Sequence, residues 1–418
     1  MVRSDDLQMI VRAAFLALML LPIAGFAAAQ SDRTGVAKAK EDSTPPPIVF
    51  YLAKGEADAC GPGCNEWIAA EGQIDAGAAQ RLSSILTRVG RRKLPIFFHS
   101  PGGIGSAALT MGRMLRAREM TAGVSQTIPA ACQGVSEQVC RSLKQSGQVL
   151  QSSLRSYSTC SSACVFALIG AKVRQVPPGS RLGVHAGKLL PYRMDGSRID
   201  LSDKQVALNQ RIRLEEINVQ MRRYVQEMKI DARMFDLLSK VPHESIHYLT
   251  RDEIVSFGID IREFNETRWV ATELLPQKLW VVKFFVTAKD ERRKELRQSF
   301  IRMECGSPLK VKLAYFRGLG LDDNGIKRTI DLNLAERKVR LFGTGSLVKL
   351  DAIEAGTSFE LWGTELSLDD IEAAGARDSI QFTEFYNADV PTRVAKLSTA
   401  GLSQAVGTLR TRCDAASN

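Results

Sequence analysis

The sequence predicts an α/β domain with a largely parallel sheet, followed by a smaller β-rich domain. Two observations carry the first part: apolar strands alternate with amphipathic helices between Ile48 and Arg118, and the pattern resumes from Tyr157 to His185. Strand–helix–strand order of this kind requires helical crossovers and hence parallel pairing. The third observation is a change of texture near Trp269, beyond which β-prone segments dominate to a final short helix.

In chain order, residues 1–29 read as a signal peptide. Arg3 and Arg12 give a basic start, Ala13 to Ala29 is uncharged, and Ala27-Ala28-Ala29 supplies small residues for cleavage. The apolar run is shorter than the ~20 residues of a membrane span and is interrupted by Pro22 and Gly25. Export follows as an expectation, into the periplasm or, as the alternative, by secretion. Residues 30–47 are polar, end in Pro45-Pro46-Pro47 and read as a linker. The remaining boundaries are expected at 48–268 and 269–418.

The formal charge is +10, and residues 1–29 contain two Arg and two Asp, so their removal leaves it unchanged. The basic clusters at Arg88 to Lys93 and Glu291 to Arg297 have no interleaved aromatics. They read as solvated helix ends or faces, which argues against a nucleic-acid partner and limits membrane contact to a peripheral one.

Eight cysteines in an exported chain imply pairing. Cys305 and Cys413 stand apart from the rest and are expected to pair; Cys60 and Cys64 flank Gly-Pro-Gly and suit a tight local ring. For Cys132, Cys140, Cys160 and Cys164 the partners stay open. If Cys160 and Cys164 lie one turn apart on a helix they suit a mutual bond poorly, and each would reach for Cys132 or Cys140. The spacings lack the paired C-x-x-C pattern of a zinc site, so no metal is expected.

Ile48 to Ala53 and Trp67 to Ile74 read as strands. Asp75 caps a helix whose inner face carries Ala79, Leu82, Leu86 and Val89, and Gly90 ends it. Leu94 to Phe98 is the next strand and runs into Ser100-Pro101-Gly102-Gly103. A helix from Ile104 to Arg118 follows, with Ile104, Ala108, Met111 and Leu115 inward. A glycine loop at such a strand-to-helix junction can turn amides toward an oxyanion. After a strand at Thr121 to Thr127, the Gln-, Ser- and Gly-rich stretch to Tyr157 reads as an insertion over or beside the site. Ser162 then opens an apolar helix running to Gly170, and strands follow at Val173 to Val176 and Arg181 to His185. The stretch from Arg198 to Val241 lacks Gly and Pro and predicts a long helix with Leu214, Ile217, Met221, Tyr224, Val225 and Met228 on one face.

This order resembles the proteolytic subunit of Clp proteases and the Clp/crotonase superfamily. Glu71-Gly72-Gln73-Ile74-Asp75, Ser100-Pro101-Gly102-Gly103, the serine before Ala163-Cys164-Val165-Phe166, Gly170-Ala171, Gly183-Val184-His185 and the run from Asp252 to Asp260 carry the likeness, over about residues 48 to 262. The resemblance implies a spiral of βαβ units, peptide or protein substrates, and a homo-oligomer. It also implies Ser162 as nucleophile, His185 as general base, and the amides of Gly102 and Ala163 as oxyanion hole. A serine hydroxyl needs such an imidazole to become nucleophilic, and a helix start at Ser162 favours developing negative charge. Ser161 is the competing serine; Ser162 places Phe166 in the family's aromatic register. The sequence departs at the third member: the family's aspartate position, two before the aromatic matched by Tyr248, holds Ile246. Glu244 is the nearest carboxylate, with Asp236 and Asp252 as further candidates, while His243 and His247 read as polar residues of a surface turn. Nothing in the sequence implies a cofactor. No catalytic constellation is apparent beyond Trp269. Two classes of function follow: an exported serine peptidase or hydrolase, and an inactive binding or assembly protein on the same fold.

Overall fold

The computed structural model describes residues 45–61, 63–155, 157–188, 200, 202–262, 265–275, 278–287, 297–307, 309–319, 328–334, 337–350, 358–386 and 391–416. The expected signal peptide, most of the expected linker and most of the Glu291–Arg297 cluster lie outside them.

The first apolar run forms β1 (Val49–Lys54), which turns through the Cys60–Cys64 loop into β2 (Glu66–Glu71) and pairs with it antiparallel. From β2 the predicted crossovers appear. Helix α1 (Ala78–Val89) buries Ala78, Leu82, Ile85, Leu86 and Val89 and leads to β3 (Ile96–His99), parallel to β2. Helix α2 (Gly105–Ala117) leads to β4 (Thr121–Val124), parallel to β3. Met111 and Leu115 are buried as expected, whereas Ile104 precedes the first turn and is exposed.

The inserted stretch joins the sheet edge. Strands β5 (Gln126–Pro129) and β6 (Leu150–Arg155) pair with each other, and β6 runs parallel to β1. Between them α3 (Glu137–Gln145) is capped by Ser136 and tied by Cys132–Cys140. Lys144 on α3 places its Nζ 2.6 Å from Glu71 Oε2. That buried carboxylate also accepts from the Tyr51 hydroxyl at 3.0 Å and from the Thr127 amide at 3.0 Å.

A second sheet grows from the end of the first. Strand β7 (Thr159–Ser161), helix α4 (Ala163–Ile169), β8 (Val173–Gln175) and β9 (Arg181–Val184) follow in turn. β8 completes the large sheet beside β4, while β7 and β9 pair parallel to each other, and Ser100 bridges to Cys160 between the sheets. The long helical stretch resolves into α5 (Lys204–Glu227) and α6 (Arg233–Leu238), separated where Lys229 adopts a φ of 57°. Met221, Tyr224, Val225 and Met228 enter the core, but the earlier turns carry Leu208, Ile212 and Val219 exposed. Strand β10 (His247–Tyr248) pairs antiparallel with β9, and α7 (Arg251–Ser256) starts with a full capping box at Thr250 and Glu253. After α7 the described residues 259–262 are in no strand. Asp260 is instead buried, accepting from the Val176 amide at 2.8 Å.

Beyond this the chain forms one antiparallel sheet. It comprises β11 (Asn265–Glu266), β12 (Val270–Leu275), β13 (Lys278–Thr287), β14 (Arg297–Cys305), β15 (Lys310–Gly318), β16 (Arg328–Leu334), β17 (Arg337–Lys349), β18 (Ser358–Ser367), β19 (Ser379–Tyr386) and β20 (Pro391–Ser398). Helix α8 (Leu368–Gly375) follows β18, and α9 (Leu402–Ala416) closes the chain. Leu402, Val406 and Leu409 of α9 join Val281, Ile301, Leu313 and Leu332 of the sheet in one core. Cys305–Cys413 fastens α9 to β14. The other sheet face packs Phe284, Phe300, Phe316 and Phe359 together with Tyr157 of the preceding region. The molecule is thus mixed α/β with a β-rich C-terminal sheet.

Candidate active site

The site begins where β3 ends. His99 is followed by Ser100, whose carbonyl accepts from the Ser161 amide at 3.0 Å, while its own amide reaches the Thr159 carbonyl at 2.9 Å. The Gly-Gly loop is thereby laid against β7. Gly102 adopts a φ of 102°, and a Cβ built there would lie 2.7 Å from Ser162 Cβ and 3.0 Å from the Ala163 amide nitrogen. Only a glycine permits this approach.

Ser162 sits between β7 and α4 with φ 53° and ψ −123°. For a residue with a Cβ this is a sharp, disfavoured turn costing about 1–3 kcal/mol, held by its surroundings. Its amide donates to the Gly183 carbonyl at 2.7 Å. Ser162 is half-buried, whereas the Ser161 hydroxyl is enclosed and has no partner among the described residues. Of the two serines, only Ser162 is partly accessible. Among the described residues nothing accepts the Ala163 N–H, while the Gly102 N–H donates to Ser100 Oγ at 3.1 Å.

His185 stands at the end of β9, next to β7, with Ser161 in register with Gly183. The topology so brings Ser162, Ala163, Gly102 and His185 to one place. No hydrogen bond joins Ser162 to His185 among the described residues. His185 Nδ1 is 2.9 Å from the Ala186 carbonyl oxygen. A carbonyl only accepts, so Nδ1 is the donor in this contact, which in a neutral imidazole leaves Nε2 as the acceptor. His243 Nδ1 addresses the same carbonyl at 3.3 Å, and its ring meets His185 edge-to-face with centroids 4.8 Å apart.

Glu244 is not brought to His185. It is exposed and pairs with Lys188 Nζ at 3.1 Å, and its own backbone, followed by that lysine, holds its carboxyl below the usual range. Asp236 pairs with Arg222, and Asp252 lies at the start of α7. His247 Nε2 is bound by Glu253 at 2.9 Å. One step beyond the β9–β10 register of His247 with Val184, Ile246 falls opposite His185, and its side chain packs over Gly183. The position opposite His185 therefore holds a hydrocarbon side chain.

The cysteines correct one expectation. Cys132 pairs with Cys140, and Cys160 with Cys164, Cα to Cα 5.3 Å. The objection to the second pair supposed both on one helix. Cys160 is instead on β7 and Cys164 in the first turn of α4, and the turn at Ser162 folds one back toward the other. Four disulfides are the mark of an oxidising compartment. Among the described residues no helix is long and apolar enough to cross a membrane.

Neither a family model nor a curated protein matches the chain. Solved structures do. A variant of the 1510-N membrane-bound stomatin-specific protease aligns with a TM-score of 0.28 and 13% identity over 46% of this chain and 75% of that one. Another variant of that protease, in complex with a substrate peptide, gives 0.28 and 14% over 46% and 71%. A ClpP1 variant from Listeria monocytogenes gives 0.27 and 16% over 45% and 85%.

Sequence reasoning missed three participants. The Ala186 carbonyl has no side-chain signal. Ser100 is visible in the sequence only as part of a turn motif, and His243, exposed as expected, approaches His185 through the course of the chain after α6, which no local pattern encodes.

Proposed function

We propose that this chain is an exported serine peptidase or related hydrolase that works through an acyl-enzyme on Ser162. The observation that carries the reading is the close approach of Gly102 to Ser162 and Ala163, at a turn where serine is held in a disfavoured conformation. In this reading Ser162 Oγ attacks a substrate carbonyl carbon while His185 Nε2 takes the hydroxyl proton. The Ala163 amide and the Gly102 amide, once released from Ser100 Oγ, stabilise the oxyanion. His185 then returns the proton to the leaving amine or alcohol, and water, deprotonated by the same nitrogen, frees Ser162. The Ala186 carbonyl holds the base in the required tautomer, so Glu244 need not act. The substrate class is a peptide or protein, the catalytic domain is residues 48–268, and export removes residues 1–29.

A second reading, an inactive binding or assembly protein, is favoured by Ile246 in place of an acid and by the missing Ser162–His185 hydrogen bond. Such bonds often close only when substrate is present. Pre-steady-state hydrolysis of an activated ester separates the two. The hydrolase releases a burst stoichiometric with chain that Ser162→Ala abolishes; equal, burst-free release by both proteins would support the inactive scaffold.

A further inference from the structure

The bond between Cys160 and Cys164 closes around Ser162 at its midpoint. Both cysteines are fully buried. Cys160 is fixed by the strand that carries it, in register with Leu182 of β9 and bridged to Ser100. Cys164 lies in the first turn of a helix of seven residues, where a backbone bond back to the elbow runs from the Val165 amide to the Ser162 carbonyl at 3.0 Å. The Ala163 amide has no acceptor among the described residues. The disulfide is thus the one covalent constraint that sets where the first turn of α4 begins relative to β7.

The other three bonds staple a hairpin loop, the edge insertion and the C-terminal helix. A ring only four residues in span constrains an unfolded chain least, so its use here points to local geometry. That geometry is demanding. Ser162 occupies a region disfavoured for any residue with a Cβ, and Gly102 leaves it no room to relax on the loop side.

We infer that Cys160–Cys164 is a positioning device that clamps the Ser162 elbow and the Ala163 amide in reactive alignment, so that the nucleophile matures only when the pair is oxidised. This rests on the hydrolase reading. Two thiols give one disulfide, two protons and two electrons, the latter taken up by an oxidised exchange partner such as glutathione disulfide. Because the sulfurs are buried, oxidation belongs to folding and is not readily reversed in the finished protein.

The test uses the full chain refolded with glutathione disulfide, as wild type, as Cys160→Ser with Cys164→Ser, and as Cys160→Ala with Cys164→Ala. The second pair serves if buried hydroxyls prevent folding. Fluorophosphonate inactivation of Ser162 is resolved into kinact and KI across pH, and amide exchange is followed over residues 159–166. The inference expects a folded variant with the other three bonds intact, kinact lowered at least about ten-fold, unchanged KI and pH midpoint, and faster exchange confined to the elbow. A folded variant with wild-type kinact and wild-type exchange would overturn it. If wild type takes no adduct, the hydrolase reading fails, and elbow exchange alone then decides the clamp.

Discussion

At the residue scale the account turns on Gly102. Replacing it with alanine puts a Cβ into Ser162 and the Ser161 carbonyl at a φ of 102°. Gly102→Ala is expected to cost about 1–3 kcal/mol of stability and to abolish reaction at Ser162, as read by urea denaturation and active-site labelling. His99 makes a second prediction. Burial holds its pKa below the ordinary 6.5, and Nδ1 lies 3.0 Å from Ser158 Oγ. As pH falls below 6.5 the unfolded chain binds a proton that the folded chain resists, so stability declines on acidification and levels off below the folded pKa. His99→Gln should flatten that part of the profile; an unchanged profile would remove His99 as its source. At this scale Ser162, His185, Gly102 and Ala163 were legible as residue types in a fixed order. The orienting group was not, because a backbone carbonyl is common to every residue.

At the element scale, the inserted stretch is held by Lys144 reaching from α3 to Glu71 on β2. Lys144→Met leaves a buried carboxylate with two donors, the Tyr51 hydroxyl and the Thr127 amide. It should destabilise by about 2–4 kcal/mol, largely recovered when Glu71→Gln is added, which a double-mutant cycle in denaturant measures. The helices and strands before residue 120 were readable from period: Leu82, Leu86 and Val89 are buried on α1 and Gly90 terminates it, but the N-cap is Gly77 and not the expected Asp75, whose carboxylate accepts from the Gly77 amide at 2.8 Å ahead of the helix. The insertion's strands are not legible because residues 128–157 show little periodicity, and β6 is defined by pairing with β1 and β5 that no local pattern announces. Ile104 failed as a core residue because the helix begins one residue after it.

For the whole molecule, the C-terminal sheet meets the region around the site. Phe284 packs against Gly179, in the turn before β9, where a Cβ would lie 3.0 Å from the ring. Tyr157, just before β7, joins the same aromatic face. The two strands carrying Ser162 and His185 are therefore buttressed by the later sheet. Cys305–Cys413 secures that sheet to its last helix over a separation of 108 residues, against 4 for the pair around Ser162. In the chain-entropy model these closures are worth about 5 and about 2 kcal/mol. Cys305→Ala with Cys413→Ala should lower the melting temperature by several degrees more than loss of the Cys160–Cys164 pair, with a smaller effect on reaction at Ser162; the reverse ranking would contradict the division of labour proposed for the two bonds. The change of texture near Trp269 was legible, but the contact between the Phe284 ring and the Gly179 backbone was not, because residues that meet across 105 positions leave no mark in a single sequence.

The most direct measurement is peptide mass mapping of the oxidised protein after exposure to a fluorophosphonate, beside Ser162→Ala and His185→Ala. One adduct, on Ser162, lost with Ser162→Ala and slowed at least about a hundred-fold by His185→Ala, is the result expected here. A folded wild-type protein without adduct, or with adduct on Ser161, would contradict it.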